Sequence, residues 1–381
     1  MQKENPKKLI GAALMIEAAG SLESAIEQWQ TISESTQSIE PLINLQVLLN
    51  LAGREAEAFA ASNRQLEINP RDPRVIFNRG WHLIQRGDFK QGFACLEAGR
   101  YLNCYGTPMP KTPKPPWRGE SLEGKTIVLR LEGGFGDEFI CFRFFETLKQ
   151  RGAKNIILAS MPQSMEFYAA QNNVGTVIDA AYANRAHFDY WLGGMSAAFA
   201  LGLELSDLPP DPYITADPLR REIWNRQLNA ASGGRLKVGI RWSGNPQFEH
   251  QQYRNFPPQI LTDLHKLQEI QLFSFQRDND LLDLPEQIID LQHDLDTWQE
   301  TAAALSEMDL VITSCTSIAH LSAALGRPTW VIVPVLPYYI WALPGEKSPW
   351  YKDVTLFRQE HFGEWSGLKP KLEAKLRELL K

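Results

Sequence analysis

Three short stretches of this 381-residue chain place reactive side chains beside turn-forming neighbours. Leu131 to Phe144 reads LEGGFGDEFICFRF, so Asp137 follows Gly133, Gly134 and Gly136. Gly239 to Pro257 reads GIRWSGNPQFEHQQYRNFP, with Ser243, Gly244 and Asn245 early and Arg254 late. Val311 to Gly326 reads VITSCTSIAHLSAALG, which brings Cys315, Thr316 and Ser317 close to His320. A carboxylate, a guanidinium and a hydroxyl-rich helix start suit general base chemistry and anion binding.

Each group also has a plainer role. Asp137 at a helix start could act as a cap, worth about 1 kcal/mol, and Arg254 could be a solvated surface cation. Cys315 with His320 could be a nucleophilic pair, but such a pair needs a lowered thiol pKa, a facing imidazole and an orienting group. His320 follows Cys315 by five residues along one helix and points away from it. The backbone N–H groups and hydroxyls of Ser314 to Ser317 favour a phosphate or pyrophosphate cradle instead. His320 then lies on the helix face that carries Thr316 and Ser317. The glycine turn before Asp137 matches neither GxGxxG nor the GxxxxGK[ST] phosphate loop.

Strands must present these loops. Thr126–Leu131, Asn155–Ala159, Lys237–Trp242, Gln271–Phe275, Leu310–Thr313 and Thr329–Val333 are short β-rich runs. Glu138–Arg151, Pro258–Leu267, Thr297–Met308 and Ser317–Leu325 read as helices between them. Such alternation predicts α/β architecture with parallel sheets covered on both faces. Two sheets are expected, beginning at Thr126 and Lys237 and separated by the polar stretch Ala216 to Gly234. A cleft at the carboxyl ends of their strands is where ligands bind in such folds.

The first hundred residues repeat with a spacing of 33 and then 34. Leu14, Val47 and Trp81 align, as do Ile16, Leu49 and Leu83, then Gly20, Gly53 and Gly87, then Ile26, Phe59 and Phe93. A small residue, Ala25, Ala58 or Gly92, follows each corner glycine by five positions. The pattern resembles the tetratricopeptide repeat. Three such helix pairs would either cap the next domain or offer a concave surface to a peptide or partner. GTPMPKTPKPP, from Gly106 to Pro116, reads as a stiff linker or a wrapped connection.

Composition bounds the remaining choices. The chain is 44% hydrophobic and 22% charged, with 39 basic and 45 acidic residues and a net charge of -6. It offers no broad basic footprint for nucleic acid, and no run approaches the ~18 apolar residues of a membrane span. Cys95, Cys104, Cys141 and Cys315 show no CxxC or zinc-like spacing, so a reducing cytoplasm is expected.

Taken together, Thr126 to Phe144, Gly239 to Phe256 and Glu300 to Trp365 resemble bacterial tetratricopeptide-repeat glycosyltransferases. Their transferase part is similar to the ADP-heptose:lipopolysaccharide heptosyltransferases. GFGDEF, the G-x-x-W-x-G-N-P of Gly239 to Pro246, ETAAALSEMDLVIT from Glu300 to Thr313, and SPWY, LFRQ and GEW between Ser348 and Trp365 carry the likeness. The resemblance implies a GT-B fold, two Rossmann-like domains preceded by all-α repeats. Its expected boundaries are 1–105 for the repeats, 106–124 for a Pro-rich linker, 125–225 for an acceptor domain and 226–381 for a nucleotide-sugar domain. The last helix is a candidate to cross back.

The implied activity is metal-independent, inverting sugar transfer from a nucleotide sugar to a hydroxyl of a glycan or protein, with no cofactor. Asp137 matches the family's base and Arg254 the residue that neutralises donor phosphates. The expected donor site comprises Gly134, Gly136, Trp242, Gly244, Asn245, Gln276, Thr301, Cys315, Thr316, Ser317 and His320. Two departures stand out: Cys315 occupies a position usually Asp, and the usual D-T-A-A is Glu300-Thr301-Ala302-Ala303. An interaction protein with a degenerate transferase-like domain is the alternative. Tyr338, Tyr339 and Trp341 in LPYYIWALP either stack on a ligand or pack.

Overall fold

The computed structural model describes residues 8–108, 110–245, 251–277 and 284–381. It begins with three helical hairpins, α1 (Lys8–Ala19) with α2 (Leu22–Glu34), α3 (Glu40–Leu51) with α4 (Glu55–Ile68), and α5 (Pro73–Gln85) with α6 (Phe89–Leu96). Gly20, Gly53 and Gly87 turn the three corners at φ of +82°, +70° and +82°. Residues with a Cβ rarely adopt that conformation, which explains the repeated glycine. The small residue five positions on lets the paired helices touch: Ala25 and Ala58 are fully buried, and a Cβ on Gly92 would lie 2.8 Å from Ile84.

A short helix, α7 (Ala98–Tyr101), leads to the proline-rich segment. That segment is a wrapped connection: the Trp117 backbone N–H donates to the Trp191 carbonyl at 2.8 Å, and the Trp117 ring is completely buried.

The first sheet domain contains β1 (Thr126–Arg130), α8 (Phe135–Phe142), α9 (Phe144–Gln150), β2 (Asn155–Ser160), α10 (Met165–Ala169), β3 (Thr176–Asp179), β4 (Tyr190–Gly193) and α11 (Ala197–Leu201). Its four parallel strands run in the order β3-β2-β1-β4. The sequence reading placed only β1 and β2. The other two have four residues each: β3 runs from Thr176 to Asp179 with no fully buried side chain, and β4 is too short to show a period.

The second sheet domain contains α12 (Pro218–Ser232), β5 (Leu236–Arg241), α13 (Gln251–Arg254), α14 (Gln259–Thr262), β6 (Ile270–Ser274), β7 (Ile288–Asp290), α15 (Trp298–Ser306), β8 (Leu310–Ser314), α16 (Ser317–Ala324), β9 (Thr329–Val333), β10 (Lys347–Ser348), β11 (Tyr351–Arg358) and α17 (Leu368–Leu379). Seven strands run in the order β10-β11-β9-β8-β5-β6-β7, with only β10 antiparallel to its neighbour.

Two expectations change here. Ala216 to Gly234 is mostly the helix α12, capped by Asp217, whose carboxylate accepts from the Arg220 N–H at 2.9 Å. α12 packs on α15 through Trp224 to Glu300 and Arg221 to Glu307, so a domain boundary at 225 would cut a helix of the second unit. Its exposed polar face disguised it as a spacer. The last helix also stays with the second sheet: Leu368, Leu372 and Leu376 join the core around Ile260, Leu264 and Phe357.

Candidate functional site

The glycine turn after β1 aims α8 at the carboxyl end of the second sheet. Gly133 turns with φ +80° and Gly134 caps the helix. Asp137, the third residue of α8, accepts the Gly134 N–H at Oδ2 at 2.9 Å, so it caps from inside the helix rather than before it. Its other oxygen, Oδ1, accepts the Tyr338 hydroxyl at 2.6 Å. Burial pushes the Asp137 carboxyl above its usual range, against the Tyr338 and Gly134 hydrogen bonds and the nearby Arg254 charge, which favour the carboxylate. A carboxylate with a raised pKa is a stronger base for a hydroxyl proton.

The second half of the site lies at the ends of β5 and β8. Arg254, last in α13, donates from Nη1 to the Cys315 carbonyl at 2.6 Å. A Cβ on Gly244 would sit 2.6 Å from its other terminal nitrogen, so glycine leaves room for the guanidinium. Gln276 ties the same loop down, donating to Ser243 Oγ at 2.8 Å and accepting the Ser243 N–H at 3.2 Å. Arg254 thereby rests beside the start of α16, where free backbone N–H groups favour negative charge.

α8 and α16 meet with their N-termini close together. A Cβ on Gly136 would fall 3.1 Å from the His320 ring and 3.4 Å from Ser317 Cα. Trp298, opening α15, packs on Phe135 and Phe139 of α8 with ring centroids 4.9 and 5.0 Å apart. The structure therefore brings Gly134, Gly136, Asp137, Gly244, Arg254, Cys315, Ser317 and His320 to one place.

No family model matches the sequence. Protein FlbA from Caulobacter vibrioides is 25% identical over 366 residues, which cover 85% of this chain and 59% of the relative. The chain thus spans 59% of the length of the curated relative it matches. ADP-heptose lps heptosyltransferase II from E. coli is 13% identical, with a TM-score of 0.50, covering 67% of this chain and 100% of that one. The two-sheet part has a heptosyltransferase-like fold. A glycosyl transferase family 9 structure from Veillonella parvula gives a TM-score of 0.49 at 12% identity, over 64% of this chain and 88% of that chain.

Within this heptosyltransferase-like fold, several expected donor residues also have surroundings within the protein. Trp242 is buried in the second core with Phe256 and Ile260. The Thr301 hydroxyl donates to the Thr297 carbonyl at 2.9 Å within α15. Thr316 precedes α16, with its hydroxyl 3.3 Å from that of Thr313. Asn245 is exposed at the loop end, and Pro246 to His250 lie outside the described residues.

His320 is buried, its ring stacked on Trp341 at 5.1 Å and its Nδ1 3.2 Å from the Tyr351 hydroxyl. Burial, with the Arg143 and Arg254 charges, pushes its pKa down to about 3. Burial also raises the Cys315 thiol, so neither an imidazolium nor a thiolate is favoured at neutral pH. These protonation states do not favour a Cys–His reaction centre.

Three further groups escaped the sequence reading. Glu138 is buried with Oε1 accepting the Met161 N–H at 2.8 Å and Oε2 facing the Ser164 hydroxyl, and burial lifts it to about 7. Arg100 of α7 forms a buried two-point ion pair with Glu132, at 3.0 and 2.8 Å, joining the helical hairpins to the end of β1. Arg143, just after α8, donates to the Trp350 carbonyl at 2.7 Å. The only signal for these in the sequence is charge inside otherwise apolar runs.

Proposed function

We propose that this chain transfers a sugar from a nucleotide-sugar donor to a hydroxyl of a glycan or protein acceptor, with inversion and without an essential metal. The observation that carries this reading is the placement of Asp137 opposite Arg254 and the start of α16. Asp137 takes the proton of the acceptor hydroxyl as that oxygen bonds to the anomeric carbon. The bond from that carbon to the diphosphate breaks, and its electron pair leaves with the nucleoside diphosphate. Arg254 and the α16 N–H groups stabilise the negative charge that develops there.

The heptosyltransferase-like fold makes ADP-heptose the first donor to try, because the similar E. coli protein is an ADP-heptose lps heptosyltransferase. Among the described residues no helix is long and apolar enough to cross a membrane, and a cytoplasmic setting is part of the proposal. A thermal-shift screen of purified protein against ADP, GDP, UDP and TDP tests the binding half. At least one should raise Tm, and Arg254→Ala should remove that rise. No shift with any of them would overturn the reading.

A further inference from the structure

We propose that Tyr338 is a positioning residue for Asp137, and that the third helical hairpin holds Tyr338 in place. The inference rests on the reading of Asp137 as the base. Asp137 is gripped from two sides, by the Gly134 N–H of its own domain and by the Tyr338 hydroxyl of the other. An ionised carboxylate offers about four lone-pair sites, so these two bonds orient the group and leave room for an acceptor hydroxyl. The Tyr338 hydroxyl links the two domains, joining residues 201 positions apart in the chain.

What fixes Tyr338 comes from the N-terminal hairpins. The Trp81 ring on α5 lies 6.1 Å from Tyr338 and 6.2 Å from Tyr339. Tyr338 and Tyr339 pack at 4.6 Å, and Phe93 of α6 meets Tyr339 edge-on at 5.8 Å. Tyr253, next to Arg254, joins the cluster of Ala25, Ile26, Leu45 and Leu48 from the first two hairpins. The Tyr338 segment and α13 therefore both lean on the hairpins. The hairpins act as a wall of the site, which goes beyond a cap or a recruiting surface.

The groups facing Asp137 determine what loss of the phenol will do. Arg254 favours the carboxylate, while Glu132 opposes it. Glu138, Cys141, Cys315 and Tyr339 also feel the Asp137 charge, and His320 is neutral there. Tyr338→Phe keeps the ring packing and removes only the hydrogen bond to the charged form.

The test is a 13C NMR titration of the full chain labelled at aspartate carboxyls, with the Asp137 resonance assigned by its loss in Asp137→Asn. Tyr338→Phe should raise the Asp137 midpoint, and Trp81→Ala should raise it in the same direction, with Trp81→Phe restoring most of the change. Wild-type midpoints in folded Tyr338→Phe would overturn the inference, and Tyr338→Phe alone decides if Trp81→Ala does not fold. If Trp81→Ala folds and leaves the midpoint unchanged, the hairpin part is overturned. Turnover surviving in Asp137→Asn would instead defeat the base reading, whatever the midpoint does.

Discussion

Trp341 donates its indole N–H to the Cys315 sulfur at 3.1 Å. The same ring stacks on His320 with planes 9° apart, so Trp341 engages both residues that looked most like a nucleophilic pair. A neutral thiol accepting an indole N–H in a buried site is a packing group.

Cys315→Ser should therefore keep nucleotide binding within about twofold, since serine conserves the shape, leaves the main-chain contact to Arg254 and retains a polar side chain for the side-chain contact. Calorimetric titration with the best nucleoside diphosphate checks this. Native protein should also resist iodoacetamide at Cys315, as read by peptide mass.

Arg254→Ala should weaken nucleoside diphosphate binding at least about tenfold, the scale of a charge-assisted hydrogen bond. Arg254→Lys should recover only part of it, because lysine lacks the fork that reaches the Cys315 carbonyl and an anion together. Titration at two salt concentrations gives the comparison.

The elements that were legible in the sequence are the ones whose chemistry is local. β9 was expected at Thr329–Val333 and is found there, because a strand covered on both faces is a short apolar run with nothing polar to interrupt it. The three hairpins were legible because each of their corners needs positive φ and carries glycine. β4 was missed because four residues give too little periodicity, and α12 because its outer face is charged. At the site, Asp137 and Arg254 stood out by type and position. Tyr338 was noticed as one of three aromatics with two open roles, and its partner lies 201 residues away, beyond the reach of any local pattern.

Glu138→Gln should change the pH dependence of stability. The folded-state pKa of Glu138 is raised to about 7 from an ordinary 4.5. The folded chain therefore holds a proton that the unfolded chain releases, and this contribution is present below about pH 4.5 and lost as pH rises through 7. Glutamine keeps the shape without the titration. The variant should gain stability relative to wild type on going from pH 5 to pH 8, by at most about 3 kcal/mol, as read by Tm at each pH.

Arg100→Ala should cost about 3–5 kcal/mol, because it leaves Glu132 buried without its cation. Urea unfolding of wild type, Arg100→Ala and the double variant Arg100→Met with Glu132→Gln checks this. The double variant should recover much of the loss, since it strands no charge.

The most direct test of the central claim is nucleoside diphosphate release from a panel of nucleotide sugars, ADP-heptose included, with candidate glycan and protein acceptors, by wild type and Asp137→Asn. The account predicts that wild type releases diphosphate from at least one donor and transfers its sugar. Asp137→Asn should bind the same donor with unchanged affinity and lose transfer by about 100-fold or more. Equal transfer by Asp137→Asn and wild type would contradict it.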